Sequence, residues 1–444
     1  MKLFAPSFFW RAMMVPIRVS FQEIVADGRE IEPGGARRPE LCPGFDISST
    51  HPAETSPSQR RGEAPKELEG GVTMWVSVQH LLHRPRKWGQ KARKQRKIGQ
   101  VTMSAEPVKQ GASDIRRAAR LSVAPMMDWT DRHCRFLHRL LSRETLLYTE
   151  MVTAPALVRG GAVHLLDFSP EEHPVALQLG GSEPAELAEA ARLGAAAGYD
   201  EINLNVGCPS DRVQSGTFGA VLMKQPDLVA ECVAAMRAVV DVEVTVKCRI
   251  GVDEQEPEEV LPDFLGKVMA AGVRRVSIHA RKAWLQGLSP KENRDIPPLD
   301  YPLVLRMKQA FPELHVSING GIASLAQARE LLDQGLDGVM IGRAAYHAPT
   351  DVLAAADRVI FGQDLPDSDP AEVVARMLPY IEAHLAAGGK LAQVTRHMLG
   401  LFAGQPGARL WRRVLSEGAH RPGAGPELVE RALAEVAGAT PVGA

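Results

Sequence analysis

The sequence has few cysteines and few aromatic residues for its length of 444 residues. The five cysteines are an odd number, are widely spaced and form no Cys-x-x-Cys pair: Cys42, Cys134, Cys208, Cys232 and Cys248. This pattern argues against a disulfide framework and against a metal site, and it is typical of a reducing cytoplasm. Aromatic residues make up 5% of the chain while aliphatic residues are plentiful, which favours an α/β enzyme over a β-sandwich.

An excess of charge and a long apolar run are also missing. Lys and Arg total 52 and Asp and Glu total 53, so any nucleic-acid-binding surface must come from local clusters of charge. No apolar run approaches the length of about 20 residues that a helix needs to span a bilayer. Arg11 and Pro16 interrupt the apolar N-terminus, and no small-residue cleavage site follows. We therefore expect a cytoplasmic protein without a membrane-spanning segment.

Residues 1–115 differ from the rest of the chain. Their Pro-, Gly- and Ser-containing stretches show no sustained helical or strand period, which predicts a disordered extension. Residues 84–97 include eight Lys and Arg side chains. This basic run is either an RNA-contacting arm or a solvated tail, and the composition favours the tail. The start could also be assigned too far upstream, with Met74 or Met103 as the true first residue.

From Leu121 onwards, short β-branched and apolar runs alternate with helical stretches, which predicts βα units and a parallel sheet. Pro184 and Pro226 suit a first helical turn, and Ser324 with Gln327 predicts a capping box. Eight repeats within residues 116–360 fit a (β/α)8 TIM barrel. An open doubly wound sheet is disfavoured because no Gly-x-Gly-x-x-Gly follows the first strand. The predicted strands are Ser122–Met126, Leu147–Met151, Val175–Leu179, Glu201–Val206, Val244–Ile250, Arg275–Ala280, His315–Asn319 and Gly338–Ile341.

Strand patterns stop after Gly362. Asp369 and Pro370 form an N-cap and first-turn pair, and apolar residues follow at helical spacing through Leu385. Residues 361–444 are therefore predicted to form a small helical domain. Its further helices are predicted at Leu391–Phe402, Ala408–Leu415 and Glu427–Val436.

Polar residues crowd the carboxyl ends of the predicted strands, where the function of a barrel resides. A single one would be an ordinary satisfied core group, but five strands that deliver them to one rim are hard to explain by packing alone. Because residues two apart share a strand face, Lys247 and Arg249 are expected opposite Cys248. The rim residues are Gln178, Asn203, Asn205, Lys247, Arg249, His279 and Asn319.

Glycines follow the last two predicted strands. Asn319, Gly320 and Gly321 precede a helix, and Gly342 and Arg343 follow the eighth strand. These two loops are the usual phosphate cradle of a TIM barrel, since glycines let backbone N–H groups approach an anion. Arg343 would add a bidentate contact. Ordinary turn glycines are the alternative interpretation.

A phosphorylated cofactor beside Lys247, Gln178 and His279 indicates a flavin. A Lys would stabilise the negative charge near N1 of the reduced ring. A Gln carries both the donor and the acceptor that match the imide edge of the ring.

Cys208 follows Gly207 at the end of the fourth strand and is expected to face the barrel cavity. Most lone cysteines are small buried hydrophobic residues, which is our interpretation of Cys134, Cys232 and Cys248. A thiol with a pKa of about 8.5 stays protonated near neutrality and can donate a proton. Hydride addition to an enone-like base requires such an acid.

Four sequence segments closely resemble the tRNA-dihydrouridine synthases: Val123–Asp131, Tyr148–Met151, Gln178–Gly181 and Asn203–Arg212. The segments His279–Trp284 and Leu288–Arg294 resemble the A subfamily, whose members modify positions 20 and 20a of the D-loop. The resemblance extends from Leu121 to His420 and leaves out the N-terminal extension. It implies an FMN enzyme that reduces uridine in tRNA to dihydrouridine, with NADPH as the reductant.

The resemblance also implies roles for single residues. Cys208 would donate the proton, and Asn205, Lys291 and Arg294 would contact tRNA. FMN would be held by Pro125, Met126, Met127, Gln178, Lys247, His279, Asn319, Gly320, Gly321, Gly342 and Arg343.

Two basic and aromatic clusters independently favour an RNA substrate, because they suit phosphate contacts and base stacking. One follows the sixth strand and consists of Arg281, Lys282, Trp284, Lys291 and Arg294. The other lies in the C-terminal segment and consists of Arg396, His397, Arg409, Trp411, Arg412 and Arg413. A solvated helix face is the alternative for the second cluster. We expect Arg396 and Arg409 to bind the D-loop region of tRNA, and we expect a monomer without an obligate protein partner.

Three other functions remain open at this point. An FMN barrel could reduce a free pyrimidine or enone, and it would not need the helical domain. A non-redox barrel could use Lys247 as a Schiff-base lysine, and it would be colourless. A non-catalytic RNA-binding protein would be indifferent to the change Cys208→Ala.

Overall fold

The computed structural model describes residues 112–210 and 218–439. Most of the predicted disordered extension, its basic run at 84–97 and Cys42 lie outside these residues. The same is true of residues 211–217.

Eight parallel strands form a TIM barrel, as the repeat pattern predicts. Neighbours follow chain order from β2 to β8, and β8 pairs with β1. Main-chain hydrogen bonds join Leu146, just before β2, to Leu121 and Val123 of β1. They close the ring of strands. The strands are β1 Leu121–Val123, β2 Leu147–Thr153, β3 Val175–Gly180, β4 Glu201–Val206, β5 Glu243–Arg249, β6 Arg275–His279, β7 His315–Asn319 and β8 Gly338–Ile341.

Three strands, β4, β7 and β8, have the predicted bounds, and the others differ by a few residues at their ends. The largest error is at β1, which stops at Val123 instead of Met126. Pro125 has no N–H to continue the ladder, and the chain turns immediately afterwards. Thr130 N donates to Met126 O at 2.9 Å in this turn, and Asp128 adopts a left-handed φ of 64°.

The strand β4 is buried on both faces, as expected for a strand with helices outside and the barrel interior inside. Its alternate residues Ile202, Leu204 and Val206 join the main apolar core. The other three are polar and fully or almost fully buried: Glu201, Asn203 and Asn205. Part of this barrel interior is therefore held by hydrogen bonds and not by apolar packing.

Helices surround the strands and connect them. The predicted starts at Pro184 and Pro226 are confirmed. The capping box at Ser324 is only half formed: Ser324 Oγ accepts from Gln327 N at 3.2 Å, but Gln327 Oε1 accepts from Ala323 N. The helices are α1 Ala112–Ala118, α2 Arg132–Leu141, α3 Ala154–Val158, α4 Pro184–Ala197, α5 Pro226–Arg237, α6 Pro257–Ala270, α7 Tyr301–Ala310, α8 Leu325–Asp333, α9 Arg343–His347 and α10 Ala356–Val359.

Four helices follow at the C-terminus: α11 Pro370–Ala386, α12 Leu391–Met398, α13 Ala408–Gly418 and α14 Pro426–Ala439. Asp369 caps α11 as predicted, since its side chain accepts from Ala371 N at 2.9 Å. The helix α12 ends at Met398 and not at Phe402, which lies in the following turns. Both α11 and α12 pack against α2 of the barrel.

The four cysteines of the described ranges carry free thiols. Cys134, Cys232 and Cys248 are fully buried, as expected, whereas Cys208 is half-buried. Among the helices of residues 112–210 and 218–439, none combines the length and the apolar character needed to cross a membrane.

Candidate active site

The polar residues predicted at the strand ends lie on adjacent strands in matching register. Gln178 pairs with Asn203, Asn205 with Lys247, and Arg249 with His279, which pairs in turn with Asn319. Four consecutive pairs of neighbouring strands, from β3 to β7, therefore bring these side chains to one mouth of the barrel.

Asn205 holds the start of the loop that carries Cys208. Its Oδ1 accepts from the backbone N–H groups of Gly207 and Cys208, both at 3.0 Å. Its Nδ2 donates to Gln178 Oε1 at 2.8 Å. The Cys208 thiol is half-buried and lies 3.5 Å from Ser210 Oγ. The thiol is therefore carried on a backbone that is fixed from the barrel interior.

Lys247 and Arg249 bring positive charge to the mouth, and no carboxylate pairs with either of them among the described residues. The side chains of Lys247 and His279 have no hydrogen-bond or ion-pair partner within the described part of the chain. Burial, and then the neighbouring Arg249, lowers the pKa of Lys247 to about 8. Burial, and then nearby cations, lowers the pKa of His279 well below its usual value, so His279 is neutral near pH 7. Uncompensated positive charge at a buried site favours an anionic ligand.

The glycines after β7 and β8 create space and close approach at the same mouth. Gly320 has a φ of +113°, and a Cβ added there would lie 2.6 Å from His279 Cδ2. A Cβ added at Gly342 would meet nothing closer than Ala124 Cβ and Met126 Sδ, both at 3.6 Å. Gly320 is thus required by the fold itself, whereas a Cβ at Gly342 would make only ordinary van der Waals contacts.

Two residues predicted to bind the cofactor are engaged elsewhere. Asn319 Nδ2 donates to Met340 O at 2.8 Å and so links β7 to β8. The Arg343 guanidinium forms an ion pair with Asp295 at 2.7 Å. A side-chain contact from Arg343 to a phosphate would require this ion pair to open or to be shared.

The loop after β1 places Met126 beside Gly342, and hydrogen bonds with Thr130 hold the Met126 backbone. Met126 N donates to Thr130 Oγ1 at 2.9 Å, and Thr130 Oγ1 donates to Met126 O at 3.2 Å. Met127 is 53% exposed, so its side chain does not pack into the core. Pro125 lies between Ala124 and this turn and sets its direction.

The loop after β6 is folded around Asn293. Asn293 is fully buried, donates to Trp284 O at 2.8 Å and accepts from Trp284 N at 2.7 Å. Its neighbours Lys291 and Arg294 remain exposed. Lys282 lies over the Trp284 ring with its Nζ 5.5 Å from the centroid. The predicted basic and aromatic cluster is therefore a structured loop that presents cations.

The C-terminal cluster is only partly as predicted. Trp411 is fully buried, stacks edge-on against Phe402 and donates its Nε1 to Met398 O at 2.8 Å. The expectation that Trp411 stacks on a base is wrong, because its apolar face belongs to the core of the C-terminal helices. His397 is also buried and lies 3.0 Å from Asp131.

Arg396 and the three arginines of α13 differ in their partners. Arg396 forms an ion pair with Asp131, which caps α2. Arg409, Arg412 and Arg413 are exposed and have no ion pair within the described residues. Arg396 thus joins the C-terminal helices to the barrel, while the α13 arginines are open to an external partner.

The sequence analysis named Arg249 only as a rim residue, without its role, and it missed Glu201. Arg249 is buried and donates to Gly207 O at 3.2 Å, to Lys282 O at 3.2 Å and to Asn293 O at 2.9 Å. Glu201 is buried with Arg275, which donates to it. The available signal was the presence of charged residues inside strands that are otherwise buried, because such groups need partners.

Residues 122–437 match the family model for dihydrouridine synthase (Dus). The chain belongs to the dihydrouridine synthase family. The match covers the barrel and nearly all of the C-terminal helices, and the sequence resemblance is confirmed at this level. The segment before residue 122 lies outside it.

Curated relatives of this dihydrouridine synthase are similar over most of their length. The tRNA-dihydrouridine(20/20a) synthase of Vibrio cholerae is 60% identical over 320 residues, which cover 72% of this chain and 97% of the relative. The protein of the same name from Escherichia coli K12 is 60% identical over 342 residues, which cover 77% of this chain and 97% of the relative. That of Salmonella typhi is 61% identical over 321 residues, which cover 72% of this chain and 96% of the relative.

Proposed function

We propose that this protein reduces uridine to 5,6-dihydrouridine at positions 20 and 20a of tRNA, with bound FMN and with NADPH as the reductant. The observation that carries the proposal is the identity of about three residues in five to tRNA-dihydrouridine(20/20a) synthases, which extends over almost their whole length. Because tRNA is modified in the cytoplasm, we propose that the protein acts there, as a monomer.

The barrel mouth is the proposed site of FMN. The cradle at Gly342 would receive the phosphate, with Gly320, Gly321 and the Arg343 backbone beside it. Lys247 and His279 would lie near the ring, and Lys247 would supply positive charge to it. The remaining proposed contacts come from Pro125, Met126, Met127, Gln178 and Asn319. Bound FMN would supply the hydride that uridine receives at C6.

Cys208 is proposed to protonate C5 of the target base. Its half-buried thiol stands on a backbone anchored by Asn205. Negative charge develops towards C5 and O4 when hydride reaches C6, so a proton delivered at C5 completes the reduction. The base must leave its stack to reach the mouth, which is the general requirement for enzymes that act on a base.

The tRNA contacts are proposed at two places. Lys291 and Arg294 present cations on the loop after β6, and Arg409 presents one on α13. Arg396 would contact tRNA only with the part of its side chain that Asp131 leaves free. Asn205 would reach the base at the mouth while it holds the Cys208 loop. We propose that the barrel (residues 116–360) reduces the base and that the helical part (361–444) helps to bind the tRNA.

The experiment is site-resolved mapping of dihydrouridine in tRNA from a strain that lacks this gene. Dihydrouridine should disappear at positions 20 and 20a, and the wild-type gene should restore it. Restoration by the Cys208→Ala gene would remove the proposed role of the thiol. Unchanged dihydrouridine at both positions in a strain without a paralogue would refute the proposed function.

A further inference from the structure

A chain of hydrogen bonds runs from the Cys208 loop into the barrel. The backbone N–H of Cys208 donates to Asn205 Oδ1 at 3.0 Å. Asn205 Nδ2 donates to Gln178 Oε1 at 2.8 Å, and Gln178 Nε2 donates to Asn203 Oδ1 at 2.8 Å. Asn205 and Gln178 thus each accept on one side and donate on the other.

The chain continues to a buried ion pair near the beginning of the strands. Asn203 Nδ2 donates to Thr245 Oγ1 at 2.7 Å, and the Thr245 hydroxyl donates to Glu201. Arg275 also donates to Glu201, as does the Tyr148 hydroxyl at 2.8 Å. Glu201 is the first residue of β4 and Cys208 follows its last, so the chain spans the length of the strand.

Every donor in this chain points away from Cys208 and towards Glu201. An ionised carboxylate can only accept hydrogen bonds, so the Thr245 hydroxyl must donate its one hydrogen bond to Glu201. The Thr245 oxygen can then only accept a hydrogen bond from Asn203. The NH2 group of Asn203, and not its carbonyl oxygen, must therefore face Thr245. The orientation of the Asn203 amide in turn fixes the orientation of the Gln178 amide, which fixes the orientation of the Asn205 amide. At the far end, the backbone N–H groups of Gly207 and Cys208 can only donate.

The two ends therefore exclude the opposite orientation of the three amides. A flipped Gln178 would place oxygen against oxygen at Asn203 and NH2 against NH2 at Asn205. All the linked side chains are between 0% and 8% exposed, so water has little access to repair such a mismatch. Networks of this kind, with every member satisfied, specify one arrangement of a core.

We propose that Glu201, through Thr245, is a positioning residue that sets the amide orientation of Gln178 and Asn205 and thereby places Cys208. The inference rests on the proposed function, since Gln178 is proposed to face FMN and Cys208 to give the proton. After the chain is formed, Gln178 keeps one N–H and one lone pair for a ligand, and their sides are set by Glu201. The buried ion pair then acts on the reaction without touching a substrate.

The test compares Thr245→Val with Thr245→Ser. Valine keeps the branched shape and removes the hydroxyl, while serine keeps the hydroxyl and removes the methyl. A matched control is Ser317→Ala, which removes a buried hydroxyl of β7 that is outside the chain. Glu201→Gln is a less clean probe, because it also removes the ion pair with Arg275.

The first measurement uses apoprotein without RNA: the rate at which iodoacetamide alkylates Cys208, followed by peptide mass spectrometry. Thr245→Val should change this rate by about threefold or more, because the three amides can then turn over and Asn205 no longer always accepts from Cys208 N. Thr245→Ser and Ser317→Ala should retain the wild-type rate. A wild-type rate in Thr245→Val refutes the positioning role, whatever the substrate of the enzyme is.

The second measurement is the single-turnover rate of uridine reduction by reduced holoenzyme, together with the flavin absorption spectrum. Thr245→Val should bind FMN fully and keep the tRNA KM within about twofold, but its rate should fall about tenfold and its spectrum should shift. Thr245→Ser should restore the wild-type rate and the wild-type flavin spectrum. An equal defect in the serine variant assigns the effect to packing and overturns the proposal. Absence of dihydrouridine with wild-type enzyme refutes the proposed function instead.

Discussion

The two halves of the barrel mouth present different chemistry. From β3 to β6 the mouth is built of side chains that are connected inwards, such as Asn205, or uncompensated, such as Lys247. From β7 through β8 to β1 it is built of main chain, at Gly320 and Gly342. The first half can therefore be probed by removing atoms, and the second half by adding them. The two halves correspond to the two proposed tasks, reaction at the base and binding of the phosphate.

The largest difference is expected from Cys208→Ala in the side-chain half. Removal of a general acid costs about 10²- to 10⁴-fold in rate, so product formation should fall by that factor while FMN and tRNA still bind. Single-turnover formation of dihydrouridine and flavin content measure the two effects. Ser210→Ala is the matched control, since it removes the hydroxyl 3.5 Å from the thiol and should stay active. Loss of flavin from Cys208→Ala would mean that the cysteine is structural. The two halves of the mouth would then not separate reaction from cofactor binding.

A smaller effect is expected from Gly342→Ala in the main-chain half. The added methyl meets only atoms at 3.6 Å, so the free energy of unfolding should change by less than about 0.5 kcal/mol. It would occupy the proposed phosphate cradle, and the Kd for FMN should rise about tenfold or more. Isothermal titration of apoprotein with FMN and with riboflavin separates the phosphate from the ring.

Gly320→Ala is the comparison for that change. Its φ of +113° and the contact with His279 predict destabilisation by about 1–3 kcal/mol, together with loss of FMN. If Gly342→Ala binds FMN as tightly as wild type, or loses riboflavin as much as FMN, then the phosphate does not lie at Gly342.

The smallest effect is a pH dependence that belongs to the side-chain half alone. Lys247 has a pKa of about 8 in the free protein, below its usual value, because of burial. A hydrogen bond from the ammonium to the flavin ring would favour the charged form and raise that pKa, so binding takes up a proton above pH 8. FMN affinity should be nearly constant below about pH 7.5 and then fall, by less than about tenfold in total at pH 9.5. Fluorescence titrations from pH 7 to 9.5 measure it. Lys247→Met should bind more weakly with a flat profile, and a flat wild-type profile would contradict the assignment.

The barrel could be predicted from the sequence because its strands are short, apolar and separated by capped helices. The meeting of Gln178, Lys247 and His279 at one mouth could be predicted, because all three lie within two residues of a strand's carboxyl end. The hydrogen-bond chain could not, because Glu201 and Thr245 become partners only through the register between β4 and β5. Trp411 was assigned wrongly for a related reason: a tryptophan between arginines has the same local pattern whether its ring faces solvent or the core.

Arg249 has a consequence for any attempt to exchange parts between relatives. A single guanidinium holds the carbonyl of Gly207, beside the proposed proton donor, and the carbonyls of Lys282 and Asn293 in the loop proposed to touch tRNA. The two loops are far apart in the sequence but share this one buried anchor. If only one loop is replaced, the new loop has to pack against an Arg249 side chain whose position is still set by the original second loop. Loop exchange between relatives should therefore move both segments together with Arg249.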